Sequence, residues 1–221
     1  MNEMDELDIN ILFLDFETTG LNPYLNDVIE VAIKKYGNED YYQTLVKPKR
    51  LPRGLVTYIP PHITNITHIT DQMIHDNSIP KSKAVYNMLQ YIETVCNNDS
   101  PIYLISHNGT VFDFIIFRKL INEHCNQSKF TRFKENLIDR IQYIDTVLLA
   151  KLFISDRERV SQPILCSKYN IINEKEHRAL GDVNALESLY VCLCKGCSKE
   201  YKKNEDFLFN NPQEIIKMCF V

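Results

Sequence analysis

Five side chains of this chain have the types and spacing needed to activate water with the help of bound cations. Asp15 and Glu17 stand two residues apart at the end of an apolar run, INILFLDF (9–16). In an extended strand, residues i and i+2 face the same way, so these carboxylates project together. Asp113 follows a second apolar run, PIYLIS (101–106), and the loop HNGTVF. Asp182 opens the last clear helical segment, five residues after His177. Acids at the ends of buried elements are costly unless something cationic compensates them, and converging carboxylates raise one another's pKa. A divalent ion removes that penalty, and hard oxygen donors suit Mg²⁺ or Mn²⁺ better than Zn²⁺. Two such ions are a known device for phosphodiester cleavage, with one orienting water and the other stabilising the leaving oxygen. An imidazole titrates near neutral pH and can take the water's proton, and His177 is the candidate for that role. Each piece alone has a plainer alternative. Asp113 and Asp182 also suit helix N-caps, and His177 also suits a solvated loop.

Residues 9–16, 28–36 and 41–47 are β-rich runs, the last two separated by the turn signal GNED, and suggest a three-strand meander. Residues 48–61 hold four prolines and read as a loop. Helices are expected from Thr70 and over Ser82–Cys96, followed by the strand at 101–106 and a helix over Phe112–Cys125. A strand over Gln142–Val147 and helices over Leu148–Phe153, Pro163–Tyr169 and Asp182–Cys194 complete the pattern. A strand-rich first third followed by alternating helix and strand gives an α/β fold with a mixed sheet.

The chain has 221 residues, 44% hydrophobic and 24% charged, which fits one globular domain rather than disorder. Its six glycines stand at 20, 37, 54, 109, 181 and 196, so neither G-x-G-x-x-G nor G-x-x-x-x-G-K can be written. That excludes a dinucleotide-binding Rossmann fingerprint and a P-loop. Residues 1–30 hold eight acids and no Lys or Arg, while the rest carries 25 basic and 21 acidic residues, a net of +4. An acidic start on a mildly basic body suits a protein that holds cations and then an anionic substrate, although chance clustering gives the same pattern. Seven cysteines after an acidic, polar start point to a reducing intracellular setting, cytoplasmic or nuclear. No apolar run is long enough for a membrane span or a secretory signal.

Three stretches, FLDFETTGL (13–21), SHNGTVFD (106–113) and HRALGDV (177–183), resemble the three motifs of the DEDD superfamily of 3′→5′ exonucleases in its histidine branch. The stretches NITHIT (65–70) and IDTVLLAKLF (144–153) are similar to accompanying segments of that family, and the resemblance covers about residues 8–195. It implies a ribonuclease H-like mixed five-stranded sheet flanked by helices, with an exonuclease domain over 1–195 and a tail over 196–221 docked on it. It also implies that Asp15, Glu17 and Asp182 hold one Mg²⁺ ion. Asp15 would bridge to a second ion, Asp113 would act through water, and Mn²⁺ would substitute. His177 is implied as general base, with Glu17 beside it in the catalytic set. The backbone N–H of Thr18 would meet the terminal 3′-hydroxyl, and Leu21 would wedge against the terminal bases. His107 and Asn108 would lie along the substrate path.

The implied substrate is a single-stranded or frayed 3′ end of nucleic acid, DNA more than RNA, with a polymerase or repair protein as a partner and no membrane. An exoribonuclease is the alternative, and an idle binding module is the rival from another class. Thr18 and Leu21 also suit a turn residue and a core leucine. Tyr58, Phe112 and Phe114 lie near the motifs and suit either base stacking or the core. Lys47, Lys49, Arg50 and Arg53 suit phosphate binding or a solvated loop. Cys192, Cys194, Cys197 and Cys219 suit a structural Zn²⁺ site or a helix end packed with small hydrophobes.

Overall fold

The computed structural model describes residues 9–48, 59–96, 99–124, 130–173 and 176–220. Lys49, Arg50, Arg53, Tyr58 and Cys125 lie outside the described residues. The strands are β1 (Asn10–Thr18), β2 (Val28–Lys35), β3 (Tyr41–Lys47), β4 (Ile79–Pro80), β5 (Ile102–Ser106) and β6 (Ile141–Asp145). The helices are α1 (Pro61–Thr67), α2 (Asp71–Asn77), α3 (Lys81–Val95), α4 (Asp113–His124), α5 (Thr131–Asn136), α6 (Thr146–Lys151), α7 (Gln162–Lys168), α8 (Ala179–Glu200), α9 (Phe207–Asn210) and α10 (Pro212–Cys219).

The strands form one mixed sheet in the order β4-β3-β2-β1-β5-β6. β1, β2 and β3 make the antiparallel meander, and β5 and β6 continue it in parallel with β1. This is a ribonuclease H-like α/β sheet with six strands rather than five. The additional strand is the two-residue β4, which joins the β3 edge through Val46 and Lys47 and is too short to show a period.

Alternation along β1 decides how the site is built. Leu12, Leu14 and Phe16 enter one core, with α3 and α4. Ile11 and Phe13 enter the other, with α6, α8 and the tail helices. Asp15 and Glu17 continue the second row, so the carboxylates emerge on the α8 side of the sheet. The parallel strands β1, β5 and β6 all end toward them, and the carboxyl ends of parallel strands are where open α/β sheets form their crevices.

Several boundaries differ from the sequence expectation. The helix α1 begins inside the proline-rich stretch, because Pro61 occupies its first turn, where a missing N–H costs nothing. The last β-strand stops at Asp145 rather than Val147, since Asp145 caps α6 by accepting the Val147 N–H at 2.9 Å. The helix α8 starts at Ala179 and runs to Glu200, so Asp182 lies in its first turn and the helix crosses the 195/196 junction unbroken. Beyond it, Leu208 and Ile215 from α9 and α10 are buried in the α8-side core. Among the described residues, no helix is long and apolar enough to cross a membrane.

Candidate active site

Asp15 and Glu17 from β1 and Asp182 from α8 bring one carboxylate oxygen each within 4.8 Å of one another. Among the described residues this is the only group of three or more His, Cys, Asp or Glu side chains with that geometry. The described cysteines form no such group, and Cys194 and Cys197 are buried in the core. Burial pushes the Asp15 carboxyl well up, and Asp113, Glu17 and Asp182 push it further. Glu17 is raised to about 8, first by burial, then by Asp182, Glu30 and Asp113, with Arg178 opposing. Asp182 is raised by burial to about 6, against the Asn173 side chain, whose Nδ2 donates to Oδ1 at 2.8 Å, and against His177. Three oxygen donors that resist ionisation together are a fitting set for a hard divalent cation.

Asp113 stands apart from this trio. It is 3% exposed at the start of α4, where Oδ1 accepts the Phe16 N–H at 3.1 Å and Oδ2 accepts the Ser106 hydroxyl at 2.7 Å. Burial raises it to about 7 in spite of those bonds. It therefore ties β1, β5 and α4 together while bordering the same cleft as the trio. Gly109 allows this close packing, since a Cβ there would stand 2.7 Å from the Phe114 ring and 2.9 Å from Ser106. Phe114 is thus a core residue, whereas Phe112 lines the cleft.

The cleft has a volume of roughly 440 Å³, and its walls include Asp15, Glu17, Asp113, Asp182, His177 and Leu21. His107 and Asn108 line it as well. His177 is about half exposed, with Nε2 3.8 Å from Glu176 Oε1. His177 and Asn108 both hold positive φ, 61° in each case. Asn and His are both enriched in that region among non-glycine residues. His107 Nδ1 lies 2.9 Å from Thr146 Oγ1, and burial lowers its imidazole pKa. Thr18 is buried, and its hydroxyl donates to the Gly20 carbonyl at 2.5 Å. Leu21 is 89% exposed at the cleft rim, which excludes the core-leucine alternative.

Three further residues shape the site without having been picked out from the sequence. Glu30 is 1% exposed and faces Glu17 across the β1–β2 pair. It accepts Arg178 Nε at 3.1 Å, Arg178 Nη2 at 2.7 Å, the Ala179 N–H at 3.0 Å and Gln43 Nε2 at 2.9 Å. Asp145 accepts the N–H groups of Asn108 and Thr110, each at 2.9 Å, and so fixes the loop that carries His107. Gln162 Nε2 donates to the Asp182 carbonyl at 2.9 Å. The available signal was weak. An acid inside the otherwise apolar run VIEVAI demands a partner, but local spacing does not say that the partner is 148 residues away.

The RNase_T exonuclease family matches residues 12–190. A DNA polymerase III of the PolC type from Thermotoga maritima is 30% identical over 83% of this chain and 12% of its own length. The exonuclease DPD1 of Arabidopsis thaliana, described as chloroplastic/mitochondrial, is 28% identical over 82% of this chain and 55% of its own length. In structure, Escherichia coli exonuclease I in complex with a dT13 oligonucleotide matches 91% of this chain and 43% of its own at 17% identity, with a TM-score of 0.66. The chain thus spans about half the length, or much less, of these relatives.

Proposed function

This chain belongs to the RNase_T exonuclease family, and from that premise we propose that it is a metal-dependent 3′→5′ exonuclease acting on single-stranded or frayed DNA ends. The observation that carries the reading is the convergence of Asp15, Glu17 and Asp182 within 4.8 Å, in a cleft that His177 borders. Asp15, Glu17 and Asp182 would hold divalent ions, Mg²⁺ with Mn²⁺ as substitute, and Asp113 would reach a second ion through water. When bound, the ions lower the pKa of water and stabilise the departing oxygen.

His177 would take the proton of the attacking water at its imidazole, with half its surface open to return that proton to solvent. Water oxygen bonds to phosphorus, and the bond to the penultimate 3′-oxygen breaks. A nucleoside 5′-monophosphate leaves, and the departing 3′-oxygen takes a proton from solvent water to become the new 3′-hydroxyl. The Thr18 backbone would meet the terminal hydroxyl, Leu21 would part the last bases, and His107 and Asn108 would line the strand's path. The link to a PolC-type polymerase and to an oligonucleotide-bound exonuclease I favours DNA, and a polymerase as working partner.

The test digests 3′-labelled and 5′-labelled oligonucleotides, DNA and RNA side by side, with Mg²⁺, Mn²⁺ or EDTA. Immediate loss of the 3′ label as mononucleotide, a shortening 5′-labelled ladder and silence in EDTA are expected, with DNA degraded faster. Internal cuts, or unchanged activity in EDTA, would refute the reading. Faster loss of RNA would move the substrate class.

A further inference from the structure

Glu30 is a fully buried acid next to a cluster of acids, and it is the one that the chain itself neutralises. On directly paired antiparallel positions the Cβ atoms of Glu17 and Glu30 lie about 4.5–5.5 Å apart on one face. Arg178 is bound to both oxygens of Glu30, at 2.7 and 3.1 Å. The guanidinium therefore stands within one side chain's reach of Glu17. It is always charged, and its fork fits a carboxylate with two parallel bonds. If it were released from Glu30, its next partner would be Glu17, and a guanidinium seated there would occupy oxygens that a metal ion needs.

We propose that Glu30 is a positioning residue: by gripping Arg178 with both oxygens it keeps that cation off Glu17 and leaves Glu17 open to a divalent ion. The proposal rests on the metal-dependent reading above. Gln43 and the Ala179 N–H complete the grip, since they hold the Glu30 carboxylate in the orientation that presents both oxygens. Glutamine at position 30 would keep the volume and one acceptor oxygen. Its NH₂ group would face the guanidinium's own donors, so the fork would open.

The experiment titrates Mn²⁺ into the full chain and reads free ion by electron paramagnetic resonance, with no substrate present. Glu30→Gln is expected to weaken Mn²⁺ binding by roughly 10-fold, as disturbed outer partners of metal ligands do. Adding Arg178→Met to that variant removes the competing cation, and Mn²⁺ affinity is expected to return toward that of the unaltered chain. A merely structural role predicts the opposite, a double variant at least as impaired as the single. Unchanged affinity in Glu30→Gln, or no recovery in the double variant, overturns the proposal. If Glu30→Gln does not fold, Arg178→Lys serves instead, because an ammonium is held by one contact and is free to reach Glu17. It should weaken Mn²⁺ binding too, and unaltered affinity there overturns the proposal. Failure of the unaltered chain to take up Mn²⁺ would sink the metal reading itself, an outcome distinct from uptake that ignores Glu30.

Discussion

At Asp145 the chain brings three backbone N–H groups to one carboxylate. At Glu30 it brings a guanidinium, an amide and another backbone N–H. At Asp15 and Glu17, on the same sheet, no side-chain hydrogen bond to another described residue is formed, and burial and neighbouring acids raise both pKa values. Glu17 and Glu30 even face each other across one strand pair. The first kind of acid is satisfied by its own fold and holds loops and helix ends in place. The second kind is left for a cation from outside. Asp145 and Glu30 are thus marked as architecture by their full sets of donors, and Asp15 and Glu17 as a site by having none.

Removing an acid of the open kind should cost the most activity and the least stability. Asp15→Asn is expected to lower Mg²⁺-dependent mononucleotide release by roughly 10³-fold, the scale seen when one electrostatic support of a transition state is lost. Its melting temperature in EDTA should hold or rise, because one repelling charge is gone. Residual activity near that of the unaltered chain would end the distinction. His177→Ala comes next. It should slow turnover by roughly 10²-fold while oligonucleotide binding, measured in Ca²⁺, stays the same. Equal losses in rate and binding would mark a structural histidine.

Removing an acid of the closed kind should invert the pattern. Asp145→Ala strands three backbone donors, at a cost of about 2–3 kcal/mol of stability. Urea titration reads that loss directly, and Mn²⁺ affinity of the folded fraction should change little. Loss of metal binding without loss of stability would place Asp145 in the site.

Proton linkage separates the two kinds more gently. Glu17, Asp113 and Asp182 have folded-state pKa values raised to about 8, 7 and 6, above the ordinary carboxylate range near 4. A raised value means that the folded chain holds protons which the unfolded chain releases. The stability contributed by the protonated groups is complete below about pH 4 and is lost as the pH rises through 6 to 8. In EDTA the melting temperature should therefore fall across that window, and Mn²⁺ should flatten the slope. Glu17→Gln should remove part of it. A melting temperature in EDTA that ignores pH would show that these groups are not strained.

The acids of the trio were legible in the sequence because their signals are local. The i, i+2 pair follows from strand geometry, and Asp182 follows from its place five residues after His177. The closed acids were not. Asp145 reads as part of a strand until Val147's N–H is seen to turn onto it. Glu30 looks like one more acid in an acidic stretch until Arg178 arrives from the other end of the chain. Asp113 is legible as a motif acid, but its bonds to the Phe16 N–H and the Ser106 hydroxyl are not, because only the packing of α4 against β1 and β5 decides them. Periodicity fixes which face a side chain takes, and long-range docking fixes which partner it meets. For the same reason β4, a two-residue edge strand, left no trace in the sequence pattern.

Leu21 gives the smallest effect and tests the rim rather than the floor of the cleft. Its loop is ordered without burying it. The Thr19 N–H donates to the Asp27 carbonyl at 2.8 Å, Asn22 Oδ1 accepts the N–H groups of Tyr24 and Leu25, and Lys119 Nζ reaches the Tyr24 carbonyl at 2.8 Å. A leucine 89% exposed on such a frame adds nothing to the core, so Leu21→Ala should shift stability by no more than about 0.5 kcal/mol. If the side chain parts terminal bases, its loss should matter where bases are paired. Digestion of a blunt duplex is expected to slow by roughly fivefold, about 1 kcal/mol of lost apolar contact, and digestion of a single strand much less. Equal slowing on both substrates would make Leu21 a general contact, and a marked fall in melting temperature would return it to the architecture.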